Sequence, residues 1–121
     1  MESFEVSKKE QDNVVILSIK GYLDAHTAPM LETELQRLVD AGKYNILVNF
    51  SELMYISSAG LGVFMGFIEN IRNHKGDIKL SNMNSKIYRV FDLLGFPTLY
   101  DILPEEREAL KKFKSLTRTR W

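Results

Sequence analysis

The apolar positions of the chain switch between a period of two and a period near 3.6. Phe4 and Val6 alternate with polar neighbours, Lys8 to Asn13 is polar and turn-like, and Val14-Val15-Ile16-Leu17-Ser18-Ile19 is a β-branched run. Two strands in a hairpin-like arrangement are predicted, the second ending at Gly21. Tyr22-Leu23-Asp24-Ala25 then leads into a helix with Thr27 at its cap, Pro29 in its first turn, and Leu31, Leu35 and Leu38 as its buried stripe. Gly42 stands where a C-terminal cap belongs, and a third strand is expected from Tyr44 to Phe50.

The second half repeats this alternation. Ile46-Leu47-Val48 feeds the stretch Asn49 to Gly62, which reads as strand end, turn and helix start, the helix beginning near Ala59. Leu61, Phe64, Met65, Ile68 and Ile71 recur at helical spacing beyond it. Met65 and Phe67 cannot both face the sheet with Leu61 and Phe64, so one of that set is expected at the surface. Asn73 to Asp77 is a turn, and Ile78-Lys79-Leu80-Ser81 a fourth strand. A third helix carries Ile87, Val90, Phe91 and Leu94, with Asn84 as cap and Gly95 just past the end. Thr98 to Ile102 is a short fifth strand, and Pro104 opens a last helix anchored by Leu110 and Phe113. Strands joined by helical crossovers imply an α/β domain, with a mixed and mostly parallel sheet of about five strands flanked by about four helices. One domain is expected over residues 1–121, with its core at 4–113 and a less ordered, charge-rich tail at 114–121.

Composition narrows the classes of function. Sixteen basic residues balance sixteen acidic ones, so no global field gathers nucleic acid. The cluster from Lys111 to Arg120 sits at a helix end, where cations are favoured. There is no Cys and only two His, His26 and His74, so neither thiolate chemistry nor a metal site is expected. No apolar run approaches the length of a membrane span, and the N-terminus lacks the pattern of a secretory signal, which together predict a cytoplasmic protein without membrane insertion.

The candidate chemistry lies at the carboxyl ends of the strands, where open α/β sheets collect functional groups. Asp24, Asn49, Ser57 and Ser58 are expected to gather there. Two serines at a helix mouth place hydroxyls beside unpaired backbone N–H groups and the positive end of the dipole, a corner suited to a phosphate. The same serines would also serve as helix caps. Gly60, Gly62 and Gly66 lie inside the helical pattern at a cost of roughly 1 kcal/mol each. Close packing against the sheet explains Gly66, while Gly60 and Gly62 fit either packing or a low surface beside Ser58. A hydrolase would need Ser58, His26 and Asp24 to converge, but the context is not Gly-x-Ser-x-Gly, and His26 and Asp24 are placed to cap a helix. A Walker loop is excluded because the stretch lacks its Lys-Ser/Thr pair. No catalytic residue and no cofactor follow.

Gly21-Tyr22-Leu23-Asp24, Asn49-Phe50-Ser51 and Ile56-Ser57-Ser58-Ala59-Gly60-Leu61-Gly62-Val63, in this order of elements, closely resemble the STAS domain of anti-sigma-factor antagonists. The match runs from Phe4 to about Phe113, and its most specific parts are the Gly-x-Leu-Asp turn and the Ser-x-Gly-Leu-Gly loop. The resemblance implies a partner switch in a bacterial cytoplasm. The unmodified antagonist binds an anti-sigma factor that is also a serine kinase of the histidine-kinase-like ATPase type and so frees a sigma factor; phosphorylation ends the binding, and a PP2C-type phosphatase restores it. Carried onto this chain, Ser58 is the phosphoacceptor, and Asp24, Ser57, Ser58, Ala59, Gly60, Leu61 and Gly62 form the partner-binding surface. Ser57 stands where the family commonly has Asp, and Asn49 where an Asp often ends the third strand, so both departures would remove negative charge near the acceptor. A STAS adaptor that binds its partner constitutively, within a sensor or transporter complex, is the alternative.

Overall fold

In the computed structural model residues 3–118 are described, with side chains described through Lys114. Strands β1 (Phe4–Gln11) and β2 (Val14–Leu23) form an antiparallel hairpin closed by Asp12 and Asn13, both at positive φ, as a two-residue type I′ turn requires. Helix α1 (Ala28–Asp40) crosses to β3 (Asn45–Ile56), α2 (Ser58–Asn73) to β4 (Asp77–Ser81), and α3 (Ser85–Leu93) with a short 3₁₀ turn (Phe96–Thr98) to β5 (Ile102–Leu103). Helix α4 (Glu106–Arg118) closes the described chain. Among the described residues the five strands lie in the order β1-β2-β3-β4-β5, parallel from β2 onward. This is the α/β architecture expected from the alternation of periods.

One face of the sheet carries the main core. Val15, Leu17, Ile19, Ile46, Val48 and Phe50 meet Leu31 and Leu35 of α1, Phe64 and Ile68 of α2 and Phe91 of α3. Phe91 makes T-shaped contacts with Phe50 and Phe96, with centroids 5.5 and 5.0 Å apart, an arrangement the ring quadrupoles favour. Helix α4 covers the other face with Ala109, Leu110 and Phe113 on Val14, Ile16 and Leu47.

Several boundaries differ from those expected. Strand β2 does not end at Gly21 but continues to Leu23, because Gly21 takes φ 97°, where a side chain would be strained and its Cβ would collide with the Ser3 carbonyl oxygen. Strand β3 runs past Phe50 through the expected turn to Ile56. Its core-facing residues there are Phe50, Leu53 and Ile56, a spacing of three that matches neither period and hides the strand. Register shifts at Ser18/Lys20 and Gly21/Tyr22 absorb the extra residues, as bulges do. The fifth strand is Ile102–Leu103 rather than Thr98 to Ile102, because Phe96 and Tyr100 stack on each other and bend the chain inward. Leu94 lies past the end of α3 and is exposed, and α4 starts at Glu106, not Pro104. The backbone of α4 stays helical to Arg118, so the beginning of the expected loose tail belongs to the helix; residues 119–121 lie outside the described residues.

Lys79, a strand residue by its sequence pattern, is fully buried under α4. Its ammonium meets Asp77 at 2.8 Å and Asp101 at 2.7 Å and lies 4.9 Å from the Phe113 ring centroid. Burial pushes the Asp101 carboxyl up, but the Lys79 hydrogen bond and charge, helped by Lys112 and Arg72, hold it below the usual carboxylate value.

Candidate functional site

Parallel pairing of β2 and β3 brings Leu23 opposite Ile56, so the two chains leave the sheet side by side. A bond from the Ser57 amide to the Leu23 carbonyl, 2.9 Å, ties them at the exit. Asp24 therefore lies next to the mouth of α2, as expected. Its carboxylate accepts from the His26 amide at 2.9 Å and the Thr27 amide at 3.1 Å. Those bonds, the Thr27 amide foremost, outweigh burial and lower its pKa, so the group is ionised across the neutral range. The Thr27 hydroxyl donates to the Tyr22 carbonyl at 2.7 Å and accepts from the Asp24 amide at 3.0 Å. Thr27 thus occupies the α1 cap position without capping it, a correction to the sequence reading; its hydroxyl braces the preceding turn and Asp24 supplies the acceptor.

The neighbouring serines have different roles. Ser57 is the N-cap of α2, in extended conformation, with its Oγ accepting from the Gly60 amide at a long 3.5 Å. Ser58 is the first helical residue and is exposed, and among the described residues its hydroxyl has no hydrogen-bond partner. The Ser58 and Ala59 amides are first-turn donors without an intrahelical acceptor, and no acidic side chain lies in that turn. The hydroxyl therefore projects into a region of positive potential.

The glycines are distributed differently from what the sequence suggested. Gly60 is buried, and a Cβ there would lie 2.8 Å from Leu23 Cγ and 3.0 Å from Ile56 Cγ1. Close packing explains it. Gly62 and Gly66 face open space, so the packing role expected for Gly66 is not observed. Gly62, one turn beyond Ser58 on the same side of the helix, keeps the surface low beside the hydroxyl. Leu61, Val63 and Phe64 are core, and Met65 is the member of the stripe left exposed, at 47%. The corner thus presents Ser58 and Gly62 fully, and Asp24, Ser57 and Ala59 in part, while Gly60 and Leu61 support it from within.

Asn49 does not join the group. It pairs in register with Ser18 and Ser81 in the middle of β3, and seven residues of strand, 50–56, separate it from Ser57, on the order of 20 Å even with the bulges. Its amide donates to Glu106 of α4 at 2.8 Å, and its Oδ1 accepts from the Ser51 amide at 2.8 Å. Of the two departures from the family pattern, only Ser57 lies beside Ser58. The expectation fails because β3 does not end near Phe50 but runs on to Ile56.

A five-stranded sheet with this strand order, whose second and third strands deliver an Asp turn and a serine-capped helix to one corner, defines a class. The profile of the STAS domain family matches residues 5–109, and the chain belongs to that family. Its relatives place it among the anti-sigma-factor antagonists: it is 30% identical over 100 residues to the anti-sigma-B factor antagonist of Bacillus subtilis, covering 83% of this chain and 91% of that one. The fold is similar to that of an anti-sigma factor antagonist from Mycobacterium paratuberculosis, with TM-score 0.84, 22% identity, and coverage of 91% and 93% of the two chains. It is also similar to the anti-sigma factor antagonist SpoIIAA in its unphosphorylated form, with TM-score 0.78, 21% identity, and coverage of 93% and 97%.

Proposed function

We propose that the chain works in the bacterial cytoplasm as the antagonist arm of a partner switch, docking an anti-sigma factor on the corner formed by Asp24 and the mouth of α2. The partner is a serine kinase of the histidine-kinase-like ATPase type, and it transfers the γ-phosphoryl group of ATP to Ser58. The Ser58 Oγ–P bond forms, the hydroxyl proton leaves, and ADP departs. A PP2C-type phosphatase reverses the modification by hydrolysis. The chain is a binding module and a phosphoryl acceptor, not a catalyst, and its one acid at the corner is engaged with its own turn.

The observation that carries this reading is the division between the two serines: Ser57 turns its hydroxyl inward as a cap while Ser58 offers a free one at an acid-free helix N-terminus. Backbone amides and the dipole can receive a phosphate there without unfolding the helix. Incubation with ATP and the kinase encoded beside the gene is expected to label wild type and Ser57→Ala but not Ser58→Ala. Unmodified Ser58→Ala is expected to retain partner binding, and Ser58→Asp to weaken it. Phosphate mapped to Ser57 would sink the assignment. Partner capture without any phosphate incorporation would favour the constitutive adaptor, which the loss of the commonly preceding acid at Ser57 also suits.

A further inference from the structure

β1 is the outer strand of the sheet, and among the described residues no other strand pairs with its free edge. Which backbone groups face outward follows from both ends of the hairpin. A two-residue turn makes Gln11 and Val14 a hydrogen-bonded pair, and at the far end the Tyr22 amide donates to the Ser3 carbonyl. Alternation between these ends turns the amides and carbonyls of Ser3, Glu5, Ser7, Lys9 and Gln11 toward β2. Those of Phe4, Val6, Lys8 and Glu10 point away from the sheet. An edge of this length invites another strand unless its side chains forbid one, and lysines commonly do so.

Here the charges select a partner. In antiparallel pairing with a second copy about a two-fold axis normal to the sheet, side chains stay on the same face, so only registers shifted by two residues compete. With Ser7 opposite Ser7 of the second copy, Glu5 faces Lys9 of the other copy on both sides of the axis, and Val6 faces Lys8. One step in one direction places Lys8 opposite Lys8. The next step places Lys9 opposite Lys9. A step in the other direction pairs Val6 with Val6, shortens the ladder and leaves both Glu5–Lys9 pairs unmade. Cross-strand opposite charges favour a pairing and like charges oppose it, so the lysines act as register selectors. Glu5 is exposed and has no ion-pair partner among the described residues. Lys9 reaches Glu106 only at 3.6 Å and is 60% exposed.

We infer that the β1 edge is a homodimerisation surface, joining two copies into one continuous antiparallel sheet with Ser7 on the two-fold axis and Glu5 paired to Lys9 across it. The outward backbone groups of Phe4, Val6, Lys8 and Glu10 would then all be bonded. The surface lies along the edge strand, apart from the Ser58 corner, and the inference stands independently of the proposed function.

The test is sedimentation equilibrium of the full chain over a wide concentration range, with Glu5→Lys, Lys9→Glu and the double exchange. Each single reversal sets like charges opposite each other twice and is expected to raise the dimer dissociation constant by about tenfold or more. The double exchange restores opposite charges and is expected to return it to within about threefold of wild type. Circular dichroism checks that all variants fold. Val6→Pro, which removes an outward amide without touching the β1–β2 ladder, is expected to be monomeric. In wild type the amides of Phe4, Val6, Lys8 and Glu10 are expected to gain exchange protection as concentration rises. A wild type that stays monomeric to about millimolar concentration, or a dimer indifferent to both single reversals, overturns the inference.

Discussion

Ser58 and Gly60 show how much one position at the mouth of α2 can decide. Ser58 has solvent in front of it, whereas Gly60 faces Leu23 and Ile56 with less than one methyl group of space. Gly60→Ala would force Leu23 or the helix to move, and overpacking of this kind costs about 1–3 kcal/mol. Gly62→Ala meets nothing and gains helix propensity, so it is expected to stabilise the fold by up to about 1 kcal/mol while adding a methyl group beside Ser58, the proposed acceptor. Urea unfolding distinguishes the two by sign, and kinase labelling is expected to slow in Gly62→Ala although that variant is the more stable. The sequence alone could identify the serines and their context as a helix mouth, since residue types and spacing carry that. It could not distinguish Gly60 from Gly62, because that depends on which side of α2 faces the sheet, and Leu61, Phe64 and Met65 left the orientation open by a third of a turn.

Among the elements, α4 is held over the sheet by a small apolar contact and one buried cation, and that cation was not legible from the sequence. Ile78-Lys79-Leu80 is assigned to a strand by its pattern, which gives no side to its lysine. The lysine points to the second face of the sheet, α4 covers that face, and coverage by an element more than 25 residues further along is a tertiary fact. Lys79→Ala leaves Asp77 and Asp101 facing each other beneath a void and is expected to cost about 3–5 kcal/mol. Lys79→Met keeps the volume, and because Asp101 can rehydrate and Asp77 retains Arg72 at 2.9 Å, it is expected to cost clearly less. The pH dependence follows from Asp101, whose folded pKa lies below its ordinary value of 3.8. A depressed carboxyl stabilises the fold above its unfolded pKa, and that contribution is lost as pH falls through the folded pKa. Lys79→Met removes the cause of the depression, so its unfolding free energy is expected to fall less steeply than that of wild type when the sample is acidified below about pH 4. Equal acid slopes in chemical denaturation would show that Asp101 draws its low pKa from elsewhere.

For the whole molecule, the question is whether the phosphate proposed at Ser58 would act by reshaping the domain or by altering one surface. The corner rests on Gly60, Leu61, Leu23 and Ile56, which are buried in the main core, and the two exits are tied by the Ser57–Leu23 backbone bond. A phosphate on the first residue of α2 would lie against free amides at the positive end of a 16-residue helix with no acid in its first turn, so it opposes none of these contacts. Phosphorylation is therefore expected to leave the melting temperature unchanged or to raise it by a few degrees, since favourable charge at a helix N-terminus contributes about 0.3–1 kcal/mol. Amide chemical shifts are expected to change only around Asp24 and the first two turns of α2. At an interface the same phosphate must be desolvated or set near the partner's own acids, and a penalty of roughly 3 kcal/mol would already weaken binding more than a hundredfold. Calorimetric titration of the anti-sigma factor with modified and unmodified protein, beside thermal melts of both, separates the two mechanisms. Loss of affinity with an intact melt and local shifts fits a surface switch, whereas loss of affinity accompanied by a lowered melt or shifts across β4 and α4 would mean that the phosphate acts through the fold.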